Sequence, residues 1–221
     1  MTRQLLATLT TLTIALTAFG QYDIGISENG GLSKIHTDFS SKDQRVTNDL
    51  RFSGNAGLFY DYHFNNKSSI ETGFLFMQIA GKENHIKDTY DPTGTLVMTS
   101  YDEFYRHISY IGLPIQYGLK LKKFTLRIGG QVSSAFANKE RNERYTVSIH
   151  NYSPPHSVTF DKLNIDNYDF GINGGLLFNL NDNWAIETTY YYGLNNIYKN
   201  SNYNWTVRQM AIGLRYTLKD K

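Results

Sequence analysis

The chain has 221 residues, a formal net charge of +2 and no cysteine, which excludes a disulfide framework and a thiolate metal site. So weak a charge gives no field that attracts a polyanion, and we expect no nucleic-acid partner. Mean hydropathy is −0.44 and no long apolar run follows residue 20, which excludes spanning α-helices but not a β-barrel, whose apolar and polar residues alternate.

The first twenty residues have the pattern of a secretory signal peptide. Arg3 supplies the positive start, an apolar stretch covers residues 5–16, and Ala18 and Gly20 place small residues before a cut ahead of Gln21. The stretch is shorter than the ~20 residues of a spanning helix. The alternative, a buried N-terminal helix, lacks a capping residue. We expect residues 1–20 to be a signal peptide and residues 21–221 to form one domain.

Eight segments with alternating apolar residues follow in chain order. They cover about residues 22–35, 51–64, 69–80, 103–119, 124–137, 167–180, 184–197 and 205–218. Long polar connections, such as 81–102 and 138–166, alternate with short turns; within the second, residues 145–150 have the alternation of a strand continuing above the membrane. This layout is typical of outer-membrane barrels with tight periplasmic turns and long extracellular loops. We predict an all-β, eight-stranded antiparallel up-and-down transmembrane barrel in the outer membrane of a Gram-negative cell.

The clearest strand pair is the hairpin from Tyr110 to Val132. Large apolar residues occupy its odd positions up to Leu119, and small or polar residues lie between them. Roughly 9–11 tilted residues cross a bilayer, which each strand of this hairpin provides. Pro114 has no N–H for the strand ladder, so we predict a β-bulge or kink near Gly112–Pro114.

The polar face of the strands decides which side meets lipid. A soluble, lipocalin-like periplasmic barrel has the opposite polarity, with an apolar cavity inside. Here the polar face carries Gly, Gln, Asn, Ser and Thr with few ions, whereas a surface in water carries interspersed Lys and Glu. The apolar face lacks charge through the predicted spanning section. We therefore place the apolar face against lipid and keep the soluble binding barrel as the alternative.

Sparse ions on the polar face lie near the predicted periplasmic turns. They are Asp61, Glu71, Arg127, Glu187 and Arg215. Because buried charges must be paired, we expect a structural ion-pair network of Glu71, Arg127, Glu187 and Arg215 in the lumen. The alternative is a gate or an ion path. An eight-stranded barrel is filled by side chains, which favours the structural interpretation.

His107 and Ser109 point to the same side of a strand, as a base and its nucleophile must. Their spacing is similar to the His-x-Ser of outer-membrane lipid A deacylases, but no carboxylate follows to orient the histidine. We predict no catalytic residue and keep a lipid-acting hydrolase as a further alternative. The histidines show no metal-ligand spacing, and His150 and His156 flank a Pro-Pro loop that we expect to be solvated. No helix follows the glycine-rich stretches, so we expect neither phosphate loops nor a cofactor.

The strand Tyr110–Lys120, YIGLPIQYGLK, resembles a strand of the PorT-like outer-membrane β-barrel family of Bacteroidota. Tyr110 and Pro114 match the first two fixed positions of the family pattern Y-x-x-x-P-x-x-x-K/R-Y, and Lys120 is the basic residue that follows, two residues beyond the position of the K/R. The segment Phe19–Gln21 and the glycines from Gly25 to Gly31 are similar to the start of that family's mature chain. The resemblance covers essentially the whole mature chain and implies a porin-family barrel. We expect a structural, binding or porin-like role, with outer-membrane lipid around the barrel and a protein or small-molecule partner at the extracellular loops.

Overall fold

The structure is a computed structural model that describes residues 21–38, 45–148, 152–199 and 204–219. The predicted signal peptide, residues 1–20, lies outside the described residues. The strands are β1 (Gln21–Asp38), β2 (Arg45–Asn65), β3 (Ser68–Tyr90), β4 (Leu96–Leu121), β5 (Phe124–Ser148), β6 (Tyr152–Asp161), β7 (Tyr168–Asn179), β8 (Trp184–Gly193) and β9 (Asn204–Lys219). No helix long and apolar enough to cross a membrane occurs in the described part of the chain.

Eight of these strands close into an antiparallel barrel. Neighbours in sequence pair from β1 to β5, then β5 pairs with β7, β7 with β8, β8 with β9, and β9 returns to β1. β6 lies outside the ring, and among the described strands it pairs with the outer part of β5 alone. The predicted eight-stranded antiparallel barrel is confirmed, and the last three predicted strands are β7, β8 and β9. Closure leaves the barrel without an exposed sheet edge.

The predicted loop over residues 81–102 is wrong. β3 and β4 stay paired almost to the turn, with Ile86 opposite Tyr101 and Asp88 opposite Thr99. β5 extends to Ser148 on the other side of β4, so the stretch that begins at Tyr145 does continue as strand. Beyond the membrane both faces of a sheet are exposed to water, so its strands do not need alternating apolar residues and resemble a loop in sequence. Cross-strand contacts such as the stacked rings of Tyr101 and Tyr145, with centroids 4.9 Å apart, hold this sheet together.

The predicted bulge at Pro114 is also wrong. Pro114 lies opposite Gln131 of β5 in an unshifted register. On the β3 side the paired residues stop at Ile115 and resume at Gly112 in the same register, so proline interrupts the ladder without adding a residue. The register shift between β4 and β5 lies nearer the extracellular end, between Ser109 and Tyr110, where β5 has one extra residue, Phe136. The bulge therefore belongs to β5 and not to the proline strand.

The outward side chains of the barrel form an apolar band. For example, the exposed fractions are 63% at Ile115, 64% at Phe74 and 60% at Ile128. A surface this apolar is matched to lipid rather than water. Aromatic pairs mark its two ends: Phe124 with Phe178 and Trp184 with Tyr216 beside the short turns, and Phe76 with Phe136 on the opposite side. We take the strands between these rings as the membrane-spanning section and the rest of β2–β6 as an extracellular sheet.

The lipid face is not free of charge, contrary to the sequence-based expectation. Glu28 of β1 is exposed on the outward side, between Ala56 of β2 and Leu214 of β9. It lies six residues from Tyr22 at one end of the band and six from Lys34 at the other, which places its carboxyl near mid-bilayer. The glycine-rich composition of β1 weakened its alternation and concealed this position in the sequence.

Replacing Glu28 by leucine is expected to stabilise the barrel by about 1 kcal/mol, because carboxylates cost free energy on the lipid face. Urea unfolding in phosphatidylcholine vesicles measures the effect. Leu214→Glu on the neighbouring strand is the matched reverse change and is expected to lower stability. A loss of stability in Glu28→Leu would show that the carboxyl has a favourable role in the membrane.

Candidate functional site

The turn end of the lumen contains an inner ionic cluster. Its members are Asp61, Glu71, Arg127, Glu187 and Arg215, all almost fully buried. Arg127 donates to Asp61 over 2.6 Å, and both arginines contact Glu71. Arg215 also approaches Glu187, at 3.3 Å, and stacks 3.1 Å above the ring of Phe59. The structure thus brings the four ions of the proposed network together and adds Asp61.

A layer of side-chain amides lies above the inner ionic cluster. Asn29 donates to Asn55 (2.8 Å) and to Glu187 (3.2 Å), and Asn173 donates to Gln131 (3.1 Å). A cavity of about 50 Å³ lies among them, with Pro114 in its wall. That volume has room for a few water molecules. The layer is a polar, water-sized chamber rather than a channel.

The outer half of the lumen is filled by what we call the apolar plug. It consists of Ile35, Met77, Ile79, Ile108, Tyr110, Leu163, Ile165, Tyr191, Ile197, Trp205 and Val207. Leu163 and Ile165 come from the β6–β7 connection and Ile197 from the β8–β9 connection, and all three are buried. Their segment is anchored by the bridge between Ile165 and Tyr198. Two extracellular connections therefore fold into the barrel and close it.

An outer ionic cluster covers the plug. Glu83 accepts from Thr37 and contacts both Arg106 and His85. Arg106 also donates to Glu140 over 2.6 Å, and its guanidinium lies 3.9 Å from the ring centre of Trp205. These groups line a vestibule of about 270 Å³ that faces the extracellular side. Every strong charge in the cluster has a partner, which is what burial requires.

Glu83 gives the extracellular end a pH dependence. Burial opposes its ionisation, but His85, Arg106 and Thr37 outweigh burial and lower the pKa of Glu83 from 4.5 to about 2. Because the folded pKa is depressed, the stabilisation is complete above pH 4.5 and is lost as pH falls from there toward 2. The loss is of the order of 3 kcal/mol.

We expect urea unfolding to become easier between pH 5 and pH 2 in the parent protein. In Glu83→Gln the part of the pH dependence that comes from this carboxyl disappears, at the cost of lower stability at pH 7. Parallel pH curves for the two proteins would contradict the assignment to Glu83.

The opposite end of the lumen opens into a vestibule of about 300 Å³ rimmed by lysines. They are Lys67, Lys120, Lys122 and Lys123. The three residues of strand Tyr110–Lys120 that carry the family resemblance thus lie at different heights. Tyr110 lies in the apolar plug, Pro114 lies in the wall of the amide-layer cavity, and Lys120 lies on this rim. The three residues share a strand but no site.

A search against protein families matches residues 19–199 to the family described as outer membrane protein beta-barrel domain. The chain belongs to this family. It is a small outer-membrane β-barrel protein, and its location is the cell outer membrane. The soluble periplasmic barrel is thereby set aside, in agreement with the apolar outer surface and the ionic interior.

Solved structures of small outer-membrane barrels have similar folds. Ail of Yersinia pestis, in complex with the heparin analogue sucrose octasulfate, is 14% identical, with 90% of this chain and 99% of Ail covered and a TM-score of 0.42. Neisserial surface protein A is 10% identical, with coverages of 88% and 97% and a TM-score of 0.45. OprG from Pseudomonas aeruginosa is 14% identical, with coverages of 90% and 98% and a TM-score of 0.42. No curated protein matches the chain.

His107 and Ser109 both lie on the outward face of β4 in this family member, as their spacing requires. Burial lowers the pKa of His107, and the cations Lys139 and Arg51 lower it further. A hydrolase needs a carboxylate that raises the basicity of its histidine, and these neighbours act in the opposite direction. His150 and His156 lie outside the residues whose side chains are described.

Sequence reasoning missed the apolar plug and the outer ionic cluster. Leu163 and Ile165 lie in the polar connection 138–166, and Ile197 lies at the end of the predicted strand 184–197, outside its apolar face. A usable signal was present for the first two, because large aliphatic residues in an otherwise polar connection are expected to be buried. The sequence does not reveal the pairing of Glu83 with Arg106, because Glu83 falls in the predicted loop 81–102 and Arg106 at the start of the predicted strand 103–119.

Proposed function

We propose that this outer-membrane protein is a non-conducting barrel whose role is structural or binding, with its contacts made by the extracellular sheet and loops. The single observation that carries the proposal is the apolar plug. Ions and water would have to cross a layer in which Ile108 and Val207 have no exposed surface. A hydrophobic constriction of this kind is a barrier to ions. A porin-like role for the lumen is therefore the weaker form of the proposal.

Planar-bilayer recording tests this directly. The parent protein is expected to give no sustained unitary currents, because the plug and the inner ionic cluster lie in series. The matched variant replaces Leu163, Ile165 and Ile197 by serine, which wets the plug while leaving every barrel strand unchanged. Openings confined to the variant would support the proposal. Sustained openings of the parent at moderate voltage would overturn it.

The extracellular sheet supports the binding role. Ion pairs cross-link its strands: Lys82 pairs with Glu103 at 2.9 Å, and Arg144 pairs with Asp102 at 2.5 Å. Functional residues of barrels concentrate in such extramembrane parts. We expect a protein or small-molecule partner here, and we expect no catalysis.

We further infer that the chain belongs to a PorT-like branch of its family and is made with a signal peptide over residues 1–20. The strand Tyr110–Lys120 supports the first inference, and the order of Arg3, the apolar stretch and Gly20 supports the second. N-terminal sequencing of the protein purified from outer membranes tests the second, with Gln21 expected as the first residue.

A further inference from the structure

Arg51 of β2 and Lys139 of β5 are among the cations of the outer wall that have no carboxylate partner within ion-pair distance in the described part of the chain. Most neighbouring cations do: Lys82 is bound to Glu103, Arg106 to Glu83 and Glu140, Arg141 to Glu143, and Arg144 to Asp102. Uncompensated positive charge at a fixed position calls for an anion from outside the chain.

The two cations flank one histidine. His107 of β4 lies directly opposite Lys139, and the positive charges of both Lys139 and Arg51 act on its imidazole. Arg51 is held in place by the ring of Tyr105, 4.8 Å from its guanidinium carbon. Arg141 lies over the same ring at 5.7 Å. Side chains from β2, β4 and β5 thus converge on one patch of the outward surface.

The patch stands at the outer edge of the apolar band. On β4 the lipid-facing residues run from Tyr117, at the turn end, to Ile111, and His107 is ten residues from Tyr117. A strand rises 3.3 Å per residue and tilts by about 40°, so ten residues correspond to roughly 25 Å along the membrane normal. That is the height of the lipid-facing band of an outer-membrane barrel. His107 therefore lies at the level of the outer lipid headgroups.

A groove gives the patch a shape. It has a volume of about 280 Å³ and is lined by Tyr105, His107, Lys139, Glu140, Arg141 and Phe160. Phe160 of β6 is 72% exposed and forms its extracellular wall. Below it, the paired rings of Phe76 and Phe136 face the acyl chains. A headgroup seated here would have cations at its sides and apolar surface toward its chains.

We propose that Arg51, His107 and Lys139 bind the phosphate group of an outer-leaflet lipid. The guanidinium and the ammonium donate charge-assisted hydrogen bonds to phosphate oxygens, and the imidazole between them adds a third donor. Glu140, which lines the groove, is already paired with Arg106, and Glu103 on the same strand as His107 is paired with Lys82. This site is separate from the plug, so it stands or falls independently of whether the barrel conducts.

Bound phosphate also changes the histidine. Burial and the charges of Lys139 and Arg51 lower the pKa of His107 in the free protein. A phosphate anion favours the imidazolium, so the pKa of His107 rises on binding. This shift is a readout that a merely structural role would not produce.

The test uses the folded full-length protein in uncharged maltoside micelles, which contain no phosphate. Lipid A with two phosphate groups is titrated against protein labelled with ¹³C at histidine, and the His107 signal is assigned by its loss in His107→Gln. Dephosphorylated lipid A and inorganic phosphate are titrated in parallel. Heat-modifiability on gels confirms that each variant is folded.

The double variant Arg51→Gln/Lys139→Gln is expected to bind phosphorylated lipid A about 100-fold more weakly, at about tenfold for each charge-assisted bond. The control Lys34→Gln/Arg208→Gln removes two cations from the outer end of the band on β1 and β9, which pair there. It is expected to bind within about threefold of the parent.

Three outcomes would overturn the proposal. Equal losses in the two double variants would mean that the charges act diffusely. Equal binding of dephosphorylated lipid A would remove the phosphate from the recognition. Equal affinity for inorganic phosphate would show a site for a free anion rather than for a lipid.

Discussion

Replacing Arg215 by leucine is expected to destabilise the folded barrel by about 3–5 kcal/mol, because it breaks a buried ionic network on one side only. Arg215 is 2% exposed and contacts both Glu71 and Glu187. Without it, Arg127 alone must compensate three buried carboxylates. The loss of the stacking contact with Phe59 adds to the cost.

Urea unfolding in lipid vesicles, followed by tryptophan fluorescence, measures this change. Arg208→Leu on the same strand is the matched control. Arg208 faces outward, and its guanidinium lies over the ring of Tyr192, which is partly buried. It is expected to cost less than about 1 kcal/mol. Adding Glu187→Leu to Arg215→Leu is expected to restore part of the lost stability, because it removes one of the unpaired carboxylates. If Arg215→Leu is no worse than Arg208→Leu, the network is not what stabilises the lumen.

Tyr110 is expected to tolerate phenylalanine and not alanine. Its side chain has no exposed surface and packs in the apolar plug, while its hydroxyl has no hydrogen-bond partner among the residues that the structure describes. Tyr110→Ala removes a buried aromatic ring and is expected to cost about 3–5 kcal/mol. Tyr110→Phe removes only an unsatisfied polar atom and is expected to be neutral or slightly stabilising.

The same unfolding measurement compares the two Tyr110 variants. Tyr117→Ala on the same strand is a useful reference, because Tyr117 is 46% exposed on the lipid side. A destabilised Tyr110→Phe would show that the hydroxyl has a partner in the membrane-embedded protein, such as a water molecule. An unchanged Tyr110→Ala would mean that the plug is not a packed core.

The barrel itself was predictable because the lipid-facing side chains of a spanning strand must be apolar. Residues such as Ile111, Leu113 and Ile115 must alternate with lumen residues, and the turns between strands must be short at one end. The opposite charges at Glu71, Arg127 and Arg215 could be placed together because burial demands pairing. Both inferences follow from the environment of the strand faces, since one face meets lipid and the other meets the closed lumen.

The extracellular half of the protein was not predictable, because its strands have no face in contact with lipid. Around Lys87 and Thr99 both faces of the sheet are exposed to water, so a paired strand and a loop have the same polar composition. Leu163 and Ile197 reach the plug through the path of the chain in space, which periodicity does not encode. Glu28 shows the converse: a strand rich in glycine carries too few side chains to show which of its residues meets lipid.

The length of the β3–β4 hairpin makes its tip accessible to large molecules outside the cell. From His107 to Leu96 the strand continues for eleven residues, which carries the tip roughly 25–30 Å beyond the headgroups. The tip is a compact turn in which the Asp91 carboxylate accepts from the backbone of Thr93 and Thr95, each over 2.9 Å. An antibody or a bacteriophage would meet this turn before any other described part of the molecule. A peptide epitope inserted after Pro92 would therefore be displayed on living cells while the barrel below it stays intact.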